Sequence, residues 1–248
     1  MSKSLTYTDF HFPGQSERYQ GKVRDTYKID QDYLVFITTD RISAFDQILP
    51  EPIPYKGEIL NQLAARFLSM SQRIVPNWLL EVPDPAAAFG RRCEPLPVEM
   101  IVRGYLCGSA WRAYQQGATH LSGEPLPAGM SAYEPFPQPL VTPTTKAQTG
   151  HDEPLTRSEI LRQGLLSADV YDQLASYSRQ LFEQGQAHAQ QQGLILADTK
   201  YEFGIYRGQV YLIDEIHTPD SSRYFYQDGF EELVEAGQAP RQLSKEFV

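Results

Sequence analysis

Apolar and polar positions change their period several times along this chain, and each change marks an element. Between residues 18 and 40 the pattern alternates loosely, with Tyr19, Val23, Tyr27 and Ile29 spaced by polar residues and then the β-branched and aromatic run 33–38. Gly21 and the Asp30-Gln31-Asp32 turn break it, so the spacing predicts a β-meander. A polar loop follows at 39–46. The period then lengthens: Ile59, Leu60, Leu63, Ala64, Phe67 and Leu68 fall on one helical face, predicting a helix over 57–73 that Pro76 ends. Strands are expected at 78–82 and 98–102. The proline- and alanine-rich stretch 83–97 between them reads as a hinge, dividing a β-rich lobe, 1–95, from an α+β lobe, 96–248.

The second half alternates the two periods. A short helix is expected at 108–116, followed by a long irregular stretch, 121–151, with the character of a functional loop or lid. Helices dominate 156–192. Thr156-Arg157-Ser158-Glu159 fits a capping box, Ser167 caps the next segment and Gly193 ends it. Two strands, 194–206 and 209–215, are joined by Arg207-Gly208, and the tail from 224 on shows weak helical periodicity. Together these elements predict an α+β fold of two unequal lobes.

Composition narrows the function classes. Lys and Arg number 22 against 31 Asp and Glu, a formal charge of −9. Such a chain presents no general basic surface to nucleic acid or an anionic membrane, so phosphates bind only where a few cations converge. Two cysteines, Cys93 and Cys107, are too few for a disulfide framework or a zinc cluster. With no signal-peptide core at the start and no apolar run near 18 residues, a cytoplasmic setting is expected.

Several constellations carry chemistry. In Asp198-Thr199-Lys200-Tyr201-Glu202, residues two apart share a strand face, so Asp198, Lys200 and Glu202 point the same way. A three-residue hairpin loop would set Asp214 opposite Glu202, and facing carboxylates need a cation such as Mg2+. That register is the expectation; a solvated charged strand face is the bland alternative, disfavoured by the apolar cover of Leu194, Ile195, Leu196, Leu212 and Ile213. Gly21-Lys22-Val23 suits a phosphate-approaching turn, although Gly-Lys in a hairpin alone is weak, and neither a Walker loop nor a Rossmann fingerprint is present. Arg103 ends a strand, and Ser109 lies where a helix start offers free amides. Thr218-Pro219-Asp220-Ser221-Ser222-Arg223 forms a hydroxyl-and-arginine cup that an ordinary Asx turn would mimic. His151 has no ligand-spaced partner.

In order along the chain, these segments resemble the phosphoribosylaminoimidazole-succinocarboxamide synthase (SAICAR synthetase) family. The resemblance is carried by Pro97-Val98-Glu99-x-x-Val102-Arg103-x-x-x-x-Gly108-Ser109 and by Leu196-Ala197-Asp198-x-Lys200-x-Glu202-Phe203-Gly204. Gly21-Lys22-Val23-Arg24-Asp25, Ser43-Ala44-Phe45-Asp46, Lys56-Gly57, Thr142-Pro143-Thr144-Thr145-Lys146-Ala147 and Asp214-Glu215-x-x-Thr218-Pro219-Asp220-Ser221-Ser222-Arg223 extend it. It implies a two-lobed fold related to ATP-grasp and protein-kinase architecture, with ATP in the cleft. It also implies a ligase that joins carboxyaminoimidazole ribonucleotide (CAIR) to L-aspartate through an acyl phosphate.

On that resemblance Gly21, Lys22, Val23 and Glu99 bind ATP. Lys200, Glu202 and Asp214 are catalytic, with Glu202 and Asp214 holding Mg2+. Arg103, Ser109, Lys146, Asp220, Ser222 and Arg223 bind substrate. The partners are small molecules, with no nucleic acid and no membrane, and the chain is a monomer or homodimer. Family members usually continue beyond residues 244–248. A small-molecule kinase and a non-catalytic nucleotide-binding regulator are the competing readings. The kinase needs no second acceptor, and the regulator has no need of both Asp214 and Glu202.

Overall fold

A computed structural model describes residues 4–44, 47–146 and 152–244. The expectations placed on Phe45, Asp46, Ala147, His151 and residues 245–248 lie outside the described residues. The chain opens with strands β1 (Gln15–Gln20), β2 (Arg24–Ile29) and β3 (Tyr33–Thr38), then the short pair β4 (Ser43–Ala44) and β5 (Gln47–Ile48). Helix α1 (Lys56–Ser71) leads to β6 (Leu79–Asp84), β7 (Ala87–Arg91) and the long β8 (Glu94–Tyr105). Next come α2 (Gly108–Gln115), β9 (His120–Leu121), β10 (Glu124–Pro125) and β11 (Pro135–Thr145). The rest is α3 (Arg157–Arg162), α4 (Ala168–Gln191), β12 (Leu194–Tyr206), β13 (Gln209–Ile213), β14 (Ser222–Tyr226), α5 (Phe230–Glu235) and β15 (Gln242–Leu243).

These elements form two compact units. Among the described residues the first holds 4–94, Gly204–Asp220 and 244, and the second holds Pro95–Phe203 and Ser221–Leu243.

The first unit is built on an antiparallel sheet of order β1-β2-β3-β7-β6. Its core follows from the alternation on β2 and β3. Tyr27, Val35 and Ile37 turn inward with Ala87, and Leu5, Phe12, Ile29 and Phe89 pack against them. Helix α1 buries Leu60, Phe67 and Leu68, whereas Ile59, expected on the same face, points to solvent. Residues 83–97 hold the end of β6, all of β7 and the start of β8, and the division between the two units falls among them, after Glu94. Pro83 sits in β6, an edge strand where a missing donor costs no ladder bond, and the small buried side chains of Ala87 and Ala88 let β7 enter between β3 and β6.

The hairpin of β12 and β13 turns on two residues, Arg207 at φ 50 and Gly208 at φ 79. Two positive φ values are the signature of a type I′ turn, whose twist matches that of the flanking strands. The expected three-residue loop, and with it the register setting Asp214 across from Glu202, is therefore not formed. Strand β13 ends at Ile213, and Asp214 leaves the ladder in the left-handed conformation, φ 62.

The second unit carries a sheet of order β11-β8-β12-β14-β15. Residues 121–146, the described part of the stretch expected to be irregular, are more regular than their prolines suggested. Strand β11 pairs antiparallel with β8, from Leu140 opposite Arg103 to Thr145 opposite Val98. It is an edge strand, so Pro137, Pro139 and Pro143 cost no ladder donor on the open side, and an irregularity between Pro135 and Leu140 absorbs part of the strain. The tail expected to be weakly helical contributes β14 to this sheet, since Tyr224 and Phe225 are needed as core.

The helix signals hold in detail. Glu159 N donates to the Thr156 hydroxyl at 3.2 Å while Glu159 Oε2 accepts from Thr156 N at 2.8 Å, closing the capping box of α3. Ser167 Oγ caps α4, and Gly193 ends it at φ 69. Replacing Thr156 by Ala should lower unfolding stability by about 1 kcal/mol, read as a shift of the urea midpoint at unchanged slope, and leave turnover intact.

Candidate active site

Strand β12 places Thr199, Tyr201 and Phe203 on its buried face, and Asp198, Lys200 and Glu202 on the other. Glu202 stays ionised there because cations bracket it. Lys200 Nζ is 2.9 Å from its Oε1, and Lys146, at the end of β11, donates to Oε2. Lys200 also reaches Glu99 Oε1 on β8 at 2.8 Å. Four alternating charges thus form one chain, Lys146–Glu202–Lys200–Glu99. Burial pushes both carboxyls up. For Glu202 the two lysines outweigh burial and hold its pKa down to about 2. For Glu99 burial outweighs the pull of Lys200, with Glu202 and Asp152 adding to the rise, and its pKa is raised to about 7.

A second cluster lies further along the same face. Arg103 Nε donates to Thr142 Oγ1 at 2.9 Å, Arg223 Nε lies 3.6 Å from Asp198 Oδ2, and Cys107 Sγ approaches the same oxygen at 3.6 Å. Burial drives the Cys107 thiol up to about 12, with Asp198 adding to it, so Cys107 is a protonated neighbour and not a nucleophile. Burial likewise lowers the Arg103 pKa, with Asp198 pulling the other way.

Gly108 opens α2 at φ 57, and a Cβ there would sit 2.1 Å from Arg223 Nη1, so the Arg223 guanidinium rests on the glycine backbone. Ser109, the next residue, is exposed; the N-cap position belongs to Cys107, which supplies no side-chain cap. Ser222 Oγ pairs with Thr199 Oγ1 at 2.8 Å, and the Ser221 carbonyl accepts Lys200 N at 3.3 Å. Two arginines with hydroxyls and helix-start amides make a seat for a phosphate or carboxylate.

The first unit holds the remaining expected residues. Gly21, Lys22 and Val23 form the turn between β1 and β2, closed by Gly21 N donating to the Arg24 carbonyl at 2.8 Å. Asp214 is fixed by the Arg24 guanidinium, whose Nη2 also meets Glu215 Oε1 at 2.6 Å, and its carbonyl accepts Trp78 Nε1 at 2.8 Å. Asp220 is buried in an ion pair with Lys56 at 2.7 Å. The sequence motifs assign no role to Arg24 and Lys56, although an acidic chain that buries Glu215 and the Asp220 side chain needs cations against them.

A family model described as SAICAR synthetase matches residues 17–248. The chain belongs to the SAICAR synthetase family. Among curated relatives, a phosphoribosylaminoimidazole-succinocarboxamide synthase of Bacteroides thetaiotaomicron is 58% identical over 247 residues, 99% of this chain and 79% of that protein. One from Legionella pneumophila is 45% identical over 98% of this chain and 78% of its own length. Among solved structures, the SAICAR synthase of Saccharomyces cerevisiae complexed with SAICAR superposes with TM-score 0.79 at 31% identity, covering 89% of this chain and 80% of that one. A SAICAR synthetase structure from Pyrococcus horikoshii has TM-score 0.75 at 22% identity over 90% and 88%, a likeness of fold. The family activity is the ATP-dependent condensation of CAIR with aspartate in purine biosynthesis, a carbon–nitrogen ligation.

Within the second unit the structure brings Glu99, Lys146, Lys200 and Glu202 together, and Arg103 and Arg223 beside Asp198. Because the folded pKa of Glu99 is raised from 4.5 to about 7, the folded state holds a proton that the unfolded chain releases first. That contribution to stability is complete below pH 4.5 and is lost as pH rises through 7. Glu99→Gln should flatten the corresponding fall, measured by urea unfolding at pH 4.5, 6 and 8. An unchanged pH slope contradicts the shift.

Proposed function

We propose the following division of labour for the condensation of ATP, CAIR and L-aspartate to SAICAR, ADP and phosphate. Gly21, Lys22 and Val23 hold the ATP phosphates, with Glu99 completing the ATP contacts. Arg103, Ser109, Lys146, Ser222 and Arg223 hold the anionic ribonucleotide. Asp220, tied to Lys56, orders the segment leading to Ser222 and Arg223. Lys200 neutralises charge at the reacting groups. These partners are small molecules, and the setting proposed is the cytoplasm; no helix among the described residues is long and apolar enough to cross a membrane.

Glu202 and Asp214 are the carboxylates that would hold Mg2+, as separate donors and not as the facing pair of one ladder. The donor chemistry fits: both present hard oxygens, and Mg2+ uses one or two carboxylates with substrate phosphates completing its shell. When bound, Mg2+ supplies charge neutralisation on the polyphosphate.

The observation that carries the reading is Glu202 held ionised between Lys146 and Lys200, with the Arg103–Arg223 seat on the same face. A carboxylate cannot accept an amine directly, because its leaving group would be oxide. A CAIR carboxylate oxygen attacks the γ-phosphorus and ADP leaves. The aspartate amine then attacks the acyl carbon, phosphate departs with that oxygen, and the amine loses a proton. The protein contributes position and electrostatics more than covalent help.

The route is tested by isotope transfer. CAIR labelled with 18O in its carboxylate should give one labelled oxygen in the released phosphate; unlabelled phosphate would contradict the acyl phosphate. Arg103→Ala should raise the KM for CAIR by roughly tenfold or more, as expected for a lost charge-assisted contact, with the KM for ATP little changed. A normal CAIR KM removes Arg103 from the seat. Asp214→Asn should lose nearly all turnover while still unfolding in one cooperative transition at a somewhat lower midpoint, because Asn tolerates the positive φ of that position but gives up the charge facing Arg24; near-wild-type turnover contradicts the role given to Asp214.

A further inference from the structure

Arg41 follows β3 in the polar loop of the first unit and is buried, 6% exposed. Its side chain binds backbone as well as charge. Nε donates to the Lys22 carbonyl at 3.1 Å, Nη2 to the Gly21 carbonyl at 3.0 Å and to Asp25 Oδ1 at 2.7 Å, and Nη1 to the Thr6 carbonyl. Thr39 takes the next carbonyl, Val23, through both its N at 2.9 Å and its Oγ1 at 2.8 Å. Asp25 is fully buried and accepts from Thr8 N at 3.1 Å and Thr8 Oγ1 at 2.7 Å as well, so the guanidinium is anchored on a carboxylate that is itself fixed.

The consequence lies in the peptide planes. Three consecutive carbonyls, those of Gly21, Lys22 and Val23, are drawn toward Arg41 and Thr39, whereas in an extended strand successive carbonyls alternate. In a trans peptide the N–H points opposite to the C=O. The amides of Lys22 and Val23 therefore aim away from the guanidinium, both on the side opposite to it. Successive amides aimed one way form a concavity that accepts an anion. The turn is also tight: a Cβ on Gly21 would meet the Arg24 carbonyl at 2.9 Å.

We propose that Arg41 is a positioning residue for ATP, holding the Gly21-Lys22-Val23 turn so that its amides and the Lys22 side chain present a rigid seat to the polyphosphate. Arg41 acts from behind the turn, through the carbonyls. The inference rests on the reading of this turn as the phosphate site given under the proposed function.

Arg41→Lys tests it, because lysine keeps the charge opposite Asp25 but lacks the planar fork that spans two carbonyls and a carboxylate. In the full chain the expected result is a rise of about tenfold in the KM for ATP, the order of a lost charge-assisted hydrogen bond. The KM values for CAIR and aspartate and kcat should change by less than about twofold. Calorimetric affinity for Mg2+-tripolyphosphate should fall with the ATP KM, and affinity for adenosine should not. Lys22→Ala separates the two levels of the argument. If Lys22→Ala weakens ATP and tripolyphosphate binding while Arg41→Lys leaves both unchanged, the positioning role is overturned alone. If neither variant moves them, the phosphate role of the turn falls with it. A loss spread equally over all three substrates in Arg41→Lys marks a merely structural residue and overturns the proposal.

Should Arg41→Lys not fold, Thr39→Val removes the Oγ1 bond to the Val23 carbonyl, together with the long 3.4 Å bond that Oγ1 accepts from Arg41 N. It should shift the same ATP and tripolyphosphate constants in the same direction by a smaller factor, about threefold. No shift in that variant overturns the proposal.

Discussion

Buried charge must be paired, and in this acidic chain that single constraint organises both units. An unpaired ion in a protein interior costs several kcal/mol, so carboxylates drawn into the fold bring cations with them. In the first unit Asp25 takes Arg41, Asp214 and Glu215 share Arg24, and Asp220 takes Lys56. In the second, Glu202 takes Lys146 and Lys200, and Asp198 takes Arg223. Apart from Lys200–Glu202, these pairs join residues distant in sequence, and most of their members lie in the motifs that carry the family resemblance. The fold is therefore held and the site assembled by the same contacts.

Function follows from the residual charge of those pairs. Glu99 shares Lys200 with Glu202 and is about half protonated at pH 7, while Glu202 remains an anion. Arg103 and Arg223 both lie near Asp198, so two guanidinium groups gather beside the start of α2. A net −9 chain thus gathers cations locally, in keeping with the ribonucleotide seat proposed for them.

Much of this was legible in the residues. The period-2 face of β12 put Asp198, Lys200 and Glu202 together, and the capping box of α3 and the stop at Gly193 stand as read. What failed shares a cause: local signals were read without their place in a sheet. The prolines of β11 look like loop punctuation until the strand is known to be an edge. The alanine-rich segment around β7 looks like a linker until two neighbours flank it. Arg207-Gly208 looked compatible with a three-residue loop, but two positive φ values gave the tighter turn and took Asp214 out of the ladder. Arg24 and Arg41 were passed over for a different reason. Their partners lie 190 and 16 residues away, and no local pattern announces a pairing across that distance.

The most direct measurement is ADP release from Mg2+-ATP and CAIR, with and without L-aspartate. The account predicts release that depends on aspartate and matches the succinocarboxamide formed mole for mole. Equal release in the absence of aspartate, or aspartate-dependent release without that product, would contradict it.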